Sequence, residues 1–186
     1  MIQRFVFFAF ITISLLFNAS YGSSYDENTL EIFSKIIPRF VLMSSQKNSI
    51  QHQLNICIVH EKLDERDAYA LIQKIRKNYP SGIKNYPIEL LMSEYNNIEV
   101  CRKSQIAFMF DTDLRTITAT VHYLNKNGIF SVSYNPNYLE YGVDSSLFLG
   151  RQVTPYFNIG ALQQSRIELD NALVQISKIY SKGDGR

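Results

Sequence analysis

Short apolar runs recur along the chain at intervals that suit buried β-strands. Each run is rich in β-branched or large apolar residues and is followed by polar or turn-forming residues. A strand that is buried on both faces of a sheet has this composition, because neither face meets water. The predicted strands cover residues 54–60, 88–92, 106–110 and 129–133.

The segments between these runs repeat their apolar residues with helical spacing. Residues 30–43 carry an apolar stripe that Pro38 strains, and a second helix begins at Asp64 and has its basic residues in its last turn. Strands that alternate with helices predict an α/β layered domain, with a parallel sheet between helices on both faces. The third helix has one apolar face, formed by Leu114, Ile117, Val121 and Leu124.

The pattern changes in the last third of the chain. Residues 143–149 and 153–157 flank Gly150-Arg151, a pair that suits a tight hairpin. The sheet is therefore predicted to be mixed, with an antiparallel hairpin at its C-terminal side. One long helix is predicted from about Asn158 to the end, with an apolar face formed by Leu162, Leu169, Leu173, Ile176 and Tyr180.

The N-terminus has the features of a signal peptide. Arg4 precedes an apolar stretch without charge, residues 5–17, and Ser20 and Gly22 supply the small residues that signal peptidase requires. We expect cleavage after residue 22, which leaves residues 23–186 as a single exported, periplasmic domain; the alternative is an uncleaved N-terminal anchor. No cysteine lies directly after the apolar stretch, so we expect no lipid anchor.

The charge balance argues against a nucleic-acid partner. The whole chain carries a net charge of +2, and loss of residues 1–22 removes one basic residue. Nucleic-acid binding calls for clustered Lys and Arg on one face, whereas the short basic clusters here suit helix ends and turns.

Asp111 and Asp113 form the strongest catalytic candidate. They follow a predicted strand, where α/β domains place their active groups, and the Asp-x-Asp spacing occurs in phosphatases with an aspartyl nucleophile. Those enzymes have Thr or Val where this chain has Arg115. The alternative is that Thr112 or Asp113 caps the next helix while Asp111 accepts hydrogen bonds in the turn, and we favour it.

No other pattern predicts catalysis, a cofactor or a metal ion. His52, His60 and His122 lack metal-ligand spacing with one another or with the cysteines, and we expect ordinary surface or strand-end histidines. A nucleophile elbow, a Gly-rich phosphate loop and a Cys-x-x-Cys motif are all missing from the sequence. We therefore expect a protein that is not an enzyme and uses no cofactor.

Cys57 and Cys101 are the two cysteines, 44 positions apart. An exported domain meets an oxidising compartment, where such a pair closes, and neighbouring parallel strands would bring the two residues within range. A disulfide would stabilise the fold by about 4 kcal/mol in the loop-closure model. The alternative is two free, buried thiols.

Several segments together resemble the YfiR family of small periplasmic proteins. They are residues 54–59 around Cys57, Cys101 ahead of residues 106–110, residues 128–133, residues 157–159, and the apolar positions Ile167, Leu169, Leu173 and Ile176. The resemblance covers about residues 30–180. Departures occur at Met43-Ser44, Tyr141-Gly142 and Arg166, where the family has Trp-Pro, Gly-Gly and a helix-interior Gly, and this chain lacks the second cysteine pair of some members.

The resemblance implies a non-catalytic periplasmic regulator. It would restrain an inner-membrane signalling protein, such as a diguanylate cyclase with a periplasmic sensor domain, and an outer-membrane lipoprotein could draw it away. The resemblance also favours a homodimer. A periplasmic domain that binds a small ligand and serves a receptor or transporter is the alternative from the residues themselves, and it predicts a concave pocket.

Overall fold

The computed structural model describes residues 25–180, so the predicted signal peptide, residues 1–22, lies outside the described residues. The strands are β1 (Leu54–His60), β2 (Ile88–Glu94), β3 (Ile106–Met109), β4 (Phe130–Ser133), β5 (Ser145–Leu149), β6 (Val153–Asn158) and β7 (Lys178–Tyr180). The α-helices are α1 (Glu27–Leu42), α2 (Glu65–Asn78), α3 (Leu114–Lys126), α4 (Ile159–Ser165) and α5 (Asn171–Gln175). Short 3₁₀ helices cover Ser45–Ser49, Lys62–Asp64, Tyr95–Lys103 and Pro136–Tyr141.

The seven strands form one mixed sheet in the order β2-β1-β3-β4-β5-β6-β7. Neighbours from β2 to β5 pair in parallel, β6 is antiparallel to β5, and β7 is parallel to β6. This confirms the predicted α/β class and the antiparallel pair near the C-terminal side. None of the helices within residues 25–180 has the length and apolar character needed to cross a membrane.

Two apolar cores cover the faces of the sheet. β1 shows why its sequence is continuously apolar: Ile56 and Ile58 belong to the core under α1 and α2, whereas Cys57 and Val59 belong to the core under α3. Side chains of a strand alternate between faces, so a strand covered on both sides needs apolar residues at every position. Helix α1 continues through the buried Pro38.

The predicted disulfide is present. Cys57 and Cys101 are bonded, with a Cα–Cα distance of 5.4 Å, and both are fully buried. The bond connects β1 to the 3₁₀ segment Tyr95–Lys103, which leads into β3. β1 and β3 are paired neighbours, as the sequence argument required.

The prediction of one long C-terminal helix was wrong. Helix α4 ends at Ser165 because Arg166 adopts a left-handed conformation (φ 57°), and the Ile167 amide then donates to the Leu162 carbonyl. The following residues cross the end of α1, where the Asp170 amide donates to the Met43 carbonyl. Short helix α5 and strand β7 complete the described residues, so Tyr180 lies in a strand and Ile176 is exposed.

The hairpin is present, but its loop has three residues instead of two. Leu149 pairs with Val153, so Gly150, Arg151 and Gln152 form the connection. A three-residue loop is the next commonest hairpin connection after the two-residue turn.

A polar network with Asp144 at its centre is buried beside β4. Ser131 donates to Oδ2 of Asp144 from its amide (2.8 Å) and its hydroxyl (2.7 Å), and the Ser165 hydroxyl donates to Oδ1 at 2.8 Å. The Asp144 carboxyl thereby ties β4 to α4 across the loop before β5. Burial raises its pKa from 3.8 to about 6, while the hydrogen bonds from both serines lower it.

Candidate functional site: the carboxyl edge of the sheet

The strand order creates a crevice at the carboxyl ends of β1 and β3. The chain leaves β1 toward the edge strand β2, and it leaves β3 in the opposite direction toward β4. The loops after β1 and β3 therefore diverge, which is the topological switch point where open α/β sheets bind ligands. Side chains that follow these two strands are the first candidates for a functional site.

A groove opens at this edge, between the segment after β2 and helix α3. Its cavity volume is about 850 Å³, within the range of small-molecule sites. The side chains that give it chemical character are Glu61, Glu94, Asp113, Arg115, Tyr95 and Tyr123. A second, smaller cavity of about 320 Å³ lies beside the carboxyl ends of β1 and β2 and shares Glu94 with the groove.

Tyr95 and Glu61 are held in place by the loop after β3. The Tyr95 hydroxyl donates to the Phe110 carbonyl at 2.5 Å, and the Thr112 hydroxyl donates to a Glu61 carboxylate oxygen at 2.5 Å. Burial raises the pKa of Tyr95 well above its ordinary value, so its phenol is neutral. Tyr95 thus provides a fixed aromatic wall, and Glu61 provides a positioned carboxylate.

Asp113 caps helix α3 at the mouth of the groove. One carboxylate oxygen accepts from the amides of Arg115 (2.9 Å) and Thr116 (3.0 Å), and the other accepts from the Thr116 hydroxyl. These hydrogen bonds, led by the Thr116 hydroxyl, lower the pKa of Asp113 and keep it ionised. The preferred alternative from the sequence, that Asp113 is a helix cap, is therefore confirmed.

Asp111 lies in the crevice and not in the groove. Burial, the largest cause, raises the pKa of its carboxyl, and the neighbouring Asp64 raises it further, while a hydrogen bond with Asn135 lowers it. Its Oδ1 atom is buried and has no hydrogen-bond partner in the described part of the chain. The hydrogen bond to Asp111 therefore comes from Asn135, after β4, and not from within the turn, where the sequence placed it.

Tyr25 and Asp64 complete the crevice. The Tyr25 hydroxyl donates to Oδ2 of Asp64 at 3.1 Å and accepts from the Asp111 amide at 3.1 Å. Asp64 precedes α2 but makes no side-chain capping bond to it. The carboxyl that would cap this helix is instead engaged by Tyr25, and burial is the main cause that raises its pKa.

The three histidines lie on different segments: His52 precedes β1, His60 ends β1, and His122 is in α3. His60 is buried at the end of β1 and its Nδ1 contacts the Glu61 carbonyl at 2.8 Å. Within residues 25–180, the structure contains no group of three or more His, Cys, Asp or Glu side chains arranged to hold a metal ion.

Most of the residues at this edge were not predicted from the sequence. Glu61 follows a predicted strand just as Asp111 does, and this position was a usable signal. Tyr25 had no such signal, because it precedes the first helix and reaches the edge only through the packing of α1. Tyr95 lies in a segment that the sequence indicated only as polar.

Comparisons with known proteins show the fold. No family model matches the sequence, and no curated protein matches it. A conserved domain protein from Vibrio cholerae O1 biovar El Tor is similar in structure, with a TM-score of 0.54 and 12% identity over 83% of this chain and 60% of that chain. An ABC domain in complex with L-Trp from Streptococcus pneumonia has a TM-score of 0.58 and 7% identity over 79% of this chain and 60% of that chain.

A glucose-galactose binding protein from Geobacillus stearothermophilus has a TM-score of 0.42 and 7% identity over 81% of this chain and 52% of that chain, and we draw no argument from it. This chain spans about 60% of the length of the first two structures. At these identities the likeness defines an α/β fold and nothing finer. None of these descriptions bears on the resemblance to the YfiR family, which stays a hypothesis.

Proposed function

We propose that this chain is an exported binding domain without catalytic activity, and that it takes a small polar ligand in the groove at the carboxyl edge of its sheet. The observation that carries the proposal is the groove itself, a cavity of about 850 Å³ next to the switch point of the sheet. Its size and its few charged side chains are typical of small-ligand sites.

The charges of the groove favour a ligand with a cationic group. Three carboxylates, those of Glu61, Glu94 and Asp113, line it together with one guanidinium, that of Arg115. A ligand with both an ammonium and a carboxylate group could use the two kinds of side chain at once. A domain of similar fold was solved with L-Trp, which supports testing amino acids first.

The test is a thermal-shift screen of the oxidised protein with amino acids and small amines. A ligand that binds the folded state at 100 times its Kd should stabilise it by about 2.7 kcal/mol. We expect Glu94→Gln and Arg115→Gln to reduce this shift, and the matched control Glu89→Gln, on an exposed residue outside the groove, to leave it unchanged. A shift that persists in both groove variants, or no shift with any compound, would contradict the proposal.

The disulfide supports the periplasm as the compartment. Bonds of this kind persist in oxidising environments, and the apolar N-terminal stretch of the sequence supports export. Fractionation of cells that express the full chain tests this: the processed protein should appear in the periplasmic fraction, oxidised at both cysteines. Retention of reduced, unprocessed protein in the cytoplasm would argue against it.

A second candidate function is the protein-binding regulator that the YfiR resemblance implies, and one observation favours it. A small apolar patch lies at the tip of the β5–β6 hairpin, where Leu149 and Val153 are paired and share one face of the sheet, whereas Phe148 is exposed on the opposite face. Leu149 is 41% exposed and Val153 is 42% exposed. Exposed apolar patches of this kind mark protein–protein contacts more often than isolated exposed residues do.

Site-specific photo-crosslinking in cells tests this second function. A photoreactive residue at Leu149 should crosslink to an inner-membrane signalling protein with a periplasmic sensor domain, such as a diguanylate cyclase. Leu63, which is 94% exposed but lies outside the apolar patch, provides the matched control. Crosslinks to an outer-membrane lipoprotein would support the wider regulatory scheme, and crosslinks only to a second copy of the chain would support a homodimer instead.

A further inference from the structure

The crevice between the carboxyl ends of β1 and β3 is occupied by the chain itself. Tyr25 lies there with only 7% of its surface exposed. Its ring meets the rings of Phe110 and Tyr134 edge-on, each at a centroid distance of 4.7 Å. Edge-to-face packing is a preferred arrangement of aromatic pairs, so the walls of the crevice suit a flat ring.

The polar end of the crevice selects one type of functional group. The Asp64 carboxyl accepts a hydrogen bond from the Tyr25 hydroxyl, and the Asp111 amide donates one to the same oxygen. A hydroxyl satisfies both partners, because it can donate and accept at once. An ammonium group could donate to Asp64 but has no lone pair for the Asp111 amide.

Tyr25 is attached so that its ring can leave without unfolding a helix or a strand. It precedes Asp26, whose carboxyl accepts from the Thr29 amide at 2.7 Å and caps α1. The Leu30 amide closes the first turn of the helix onto the Asp26 carbonyl. Withdrawal of the ring breaks its contacts with Phe110 and Tyr134 and its hydrogen bonds with Asp64 and Asp111, and it leaves α1 capped.

We propose that this crevice is a binding site for a ligand with an aromatic ring and a hydroxyl, a phenol being the simplest, and that Tyr25 occupies it as an intramolecular competitor. The crevice is built from Asp64, Phe110, Asp111 and Tyr134, none of which lines the groove. The proposal therefore does not rest on the proposed function of the groove.

The energetic consequence can be measured. A ligand binds only the fraction of molecules in which Tyr25 has left the crevice. Its apparent Kd is therefore its intrinsic Kd divided by that fraction. Removal of the Tyr25 side chain should thus tighten phenol binding. The increase in affinity measures how well the chain's own ring competes.

The test compares the wild-type protein with Tyr25→Ala, using p-cresol as the probe and toluene as the same ring without a hydroxyl. In NMR titrations we expect saturable binding of p-cresol to Tyr25→Ala, at least tenfold tighter than to the wild-type protein and at least tenfold tighter than toluene. The control is Tyr69→Ala, which removes an exposed tyrosine from α2 and should bind p-cresol no better than the wild-type protein.

Three outcomes would overturn the proposal: no saturable binding to Tyr25→Ala, equal binding of p-cresol and toluene, or equal affinity in variant and wild type. If Tyr25→Ala does not fold alone, circular dichroism replaces the titration. Folding that p-cresol restores and toluene does not would then support the proposal, and failure of p-cresol to restore it would overturn it.

Discussion

Asp144 is a buried carboxyl whose interaction partners within the described chain are hydrogen-bonding groups and not cations. Its pKa rises from 3.8 to about 6 on folding, and burial is the main cause. A group with a raised pKa contributes stability that is fully present below its unfolded pKa and is lost as the pH rises through its folded pKa. The folded state should therefore lose about 2 kcal/mol from this residue between pH 4 and pH 7.

Asp144→Asn should remove this pH-dependent loss. An amide group has no proton to release, its oxygen can still accept from Ser131, and its NH₂ can donate to the Ser165 hydroxyl. Urea unfolding at pH 4 and pH 7 measures the effect, and the wild-type protein should lose more stability than the variant as the pH rises.

Asp113→Asn is the control, because the pKa of Asp113 is shifted in the opposite direction to that of Asp144. Hydrogen bonds lower the pKa of Asp113, so the stability that it contributes is present above its ordinary pKa and is lost as the pH falls. This variant should therefore lose less folding stability than the wild-type protein as the pH falls.

If Asp144→Asn unfolded with the same pH profile as the wild-type protein, the buried carboxyl of Asp144 would not titrate as inferred.

At the scale of secondary-structure elements, Arg166 decides where α4 ends. An L-residue in the left-handed region costs about 1–2 kcal/mol, and glycine avoids this cost while adding about 0.5–1 kcal/mol of unfolded-state entropy. Arg166→Gly should therefore raise the free energy of unfolding by up to about 1 kcal/mol. Urea unfolding measures the effect, with Arg151→Gly unfolded in parallel as a control.

Arg151 is the matched control because its φ is not positive. There the same Arg-to-Gly change relieves no strain and should lower stability by several tenths of a kcal/mol. A loss at residue 166 as large as that at residue 151 would show that the left-handed conformation carries no cost.

The first four strands were predicted correctly from the sequence, whereas the C-terminal region was not, and the difference has a physical reason. Strands β1 to β4 were found because apolar runs bounded by polar residues are local signals. The apolar spacing of Leu162, Leu169 and Leu173 also suits a helix, so local pattern could not reveal the break. Contacts with the residues just after α1 decide the structure of this region: the Asp170 amide donates to the Met43 carbonyl, and Lys47 forms an ion pair with Asp170 at 2.9 Å.

For the whole molecule, the disulfide is the main covalent constraint on stability. It closes a loop of 44 positions between β1 and the segment before β3. Reduction should lower the free energy of unfolding by about 4 kcal/mol, because the unfolded chain regains the conformations that the bond had removed. Urea unfolding with and without dithiothreitol measures the difference.

The double variant Cys57→Ala/Cys101→Ala is the control for reduction. It should unfold at one urea concentration whether or not the reductant is present, close to the midpoint of the reduced wild-type protein. A reductant that shifted both proteins equally would mean that the effect does not come from this bond. Equal stability of the oxidised and reduced wild-type protein would exclude a structural role for the disulfide.

The sequence by itself determined the four parallel strands, the hairpin, the layered α/β class and the partners of the disulfide. These features follow from local patterns of apolar residues and from one pair of cysteines, so near neighbours in the chain carry the information. The tertiary structure decided the split of the C-terminal region, the burial of Asp144 and the occupation of the crevice by Tyr25. Each of these depends on which distant elements meet: Tyr25 contacts Asp64 and Asp111 only because the order β2-β1-β3 brings the ends of β1 and β3 side by side beneath the start of α1.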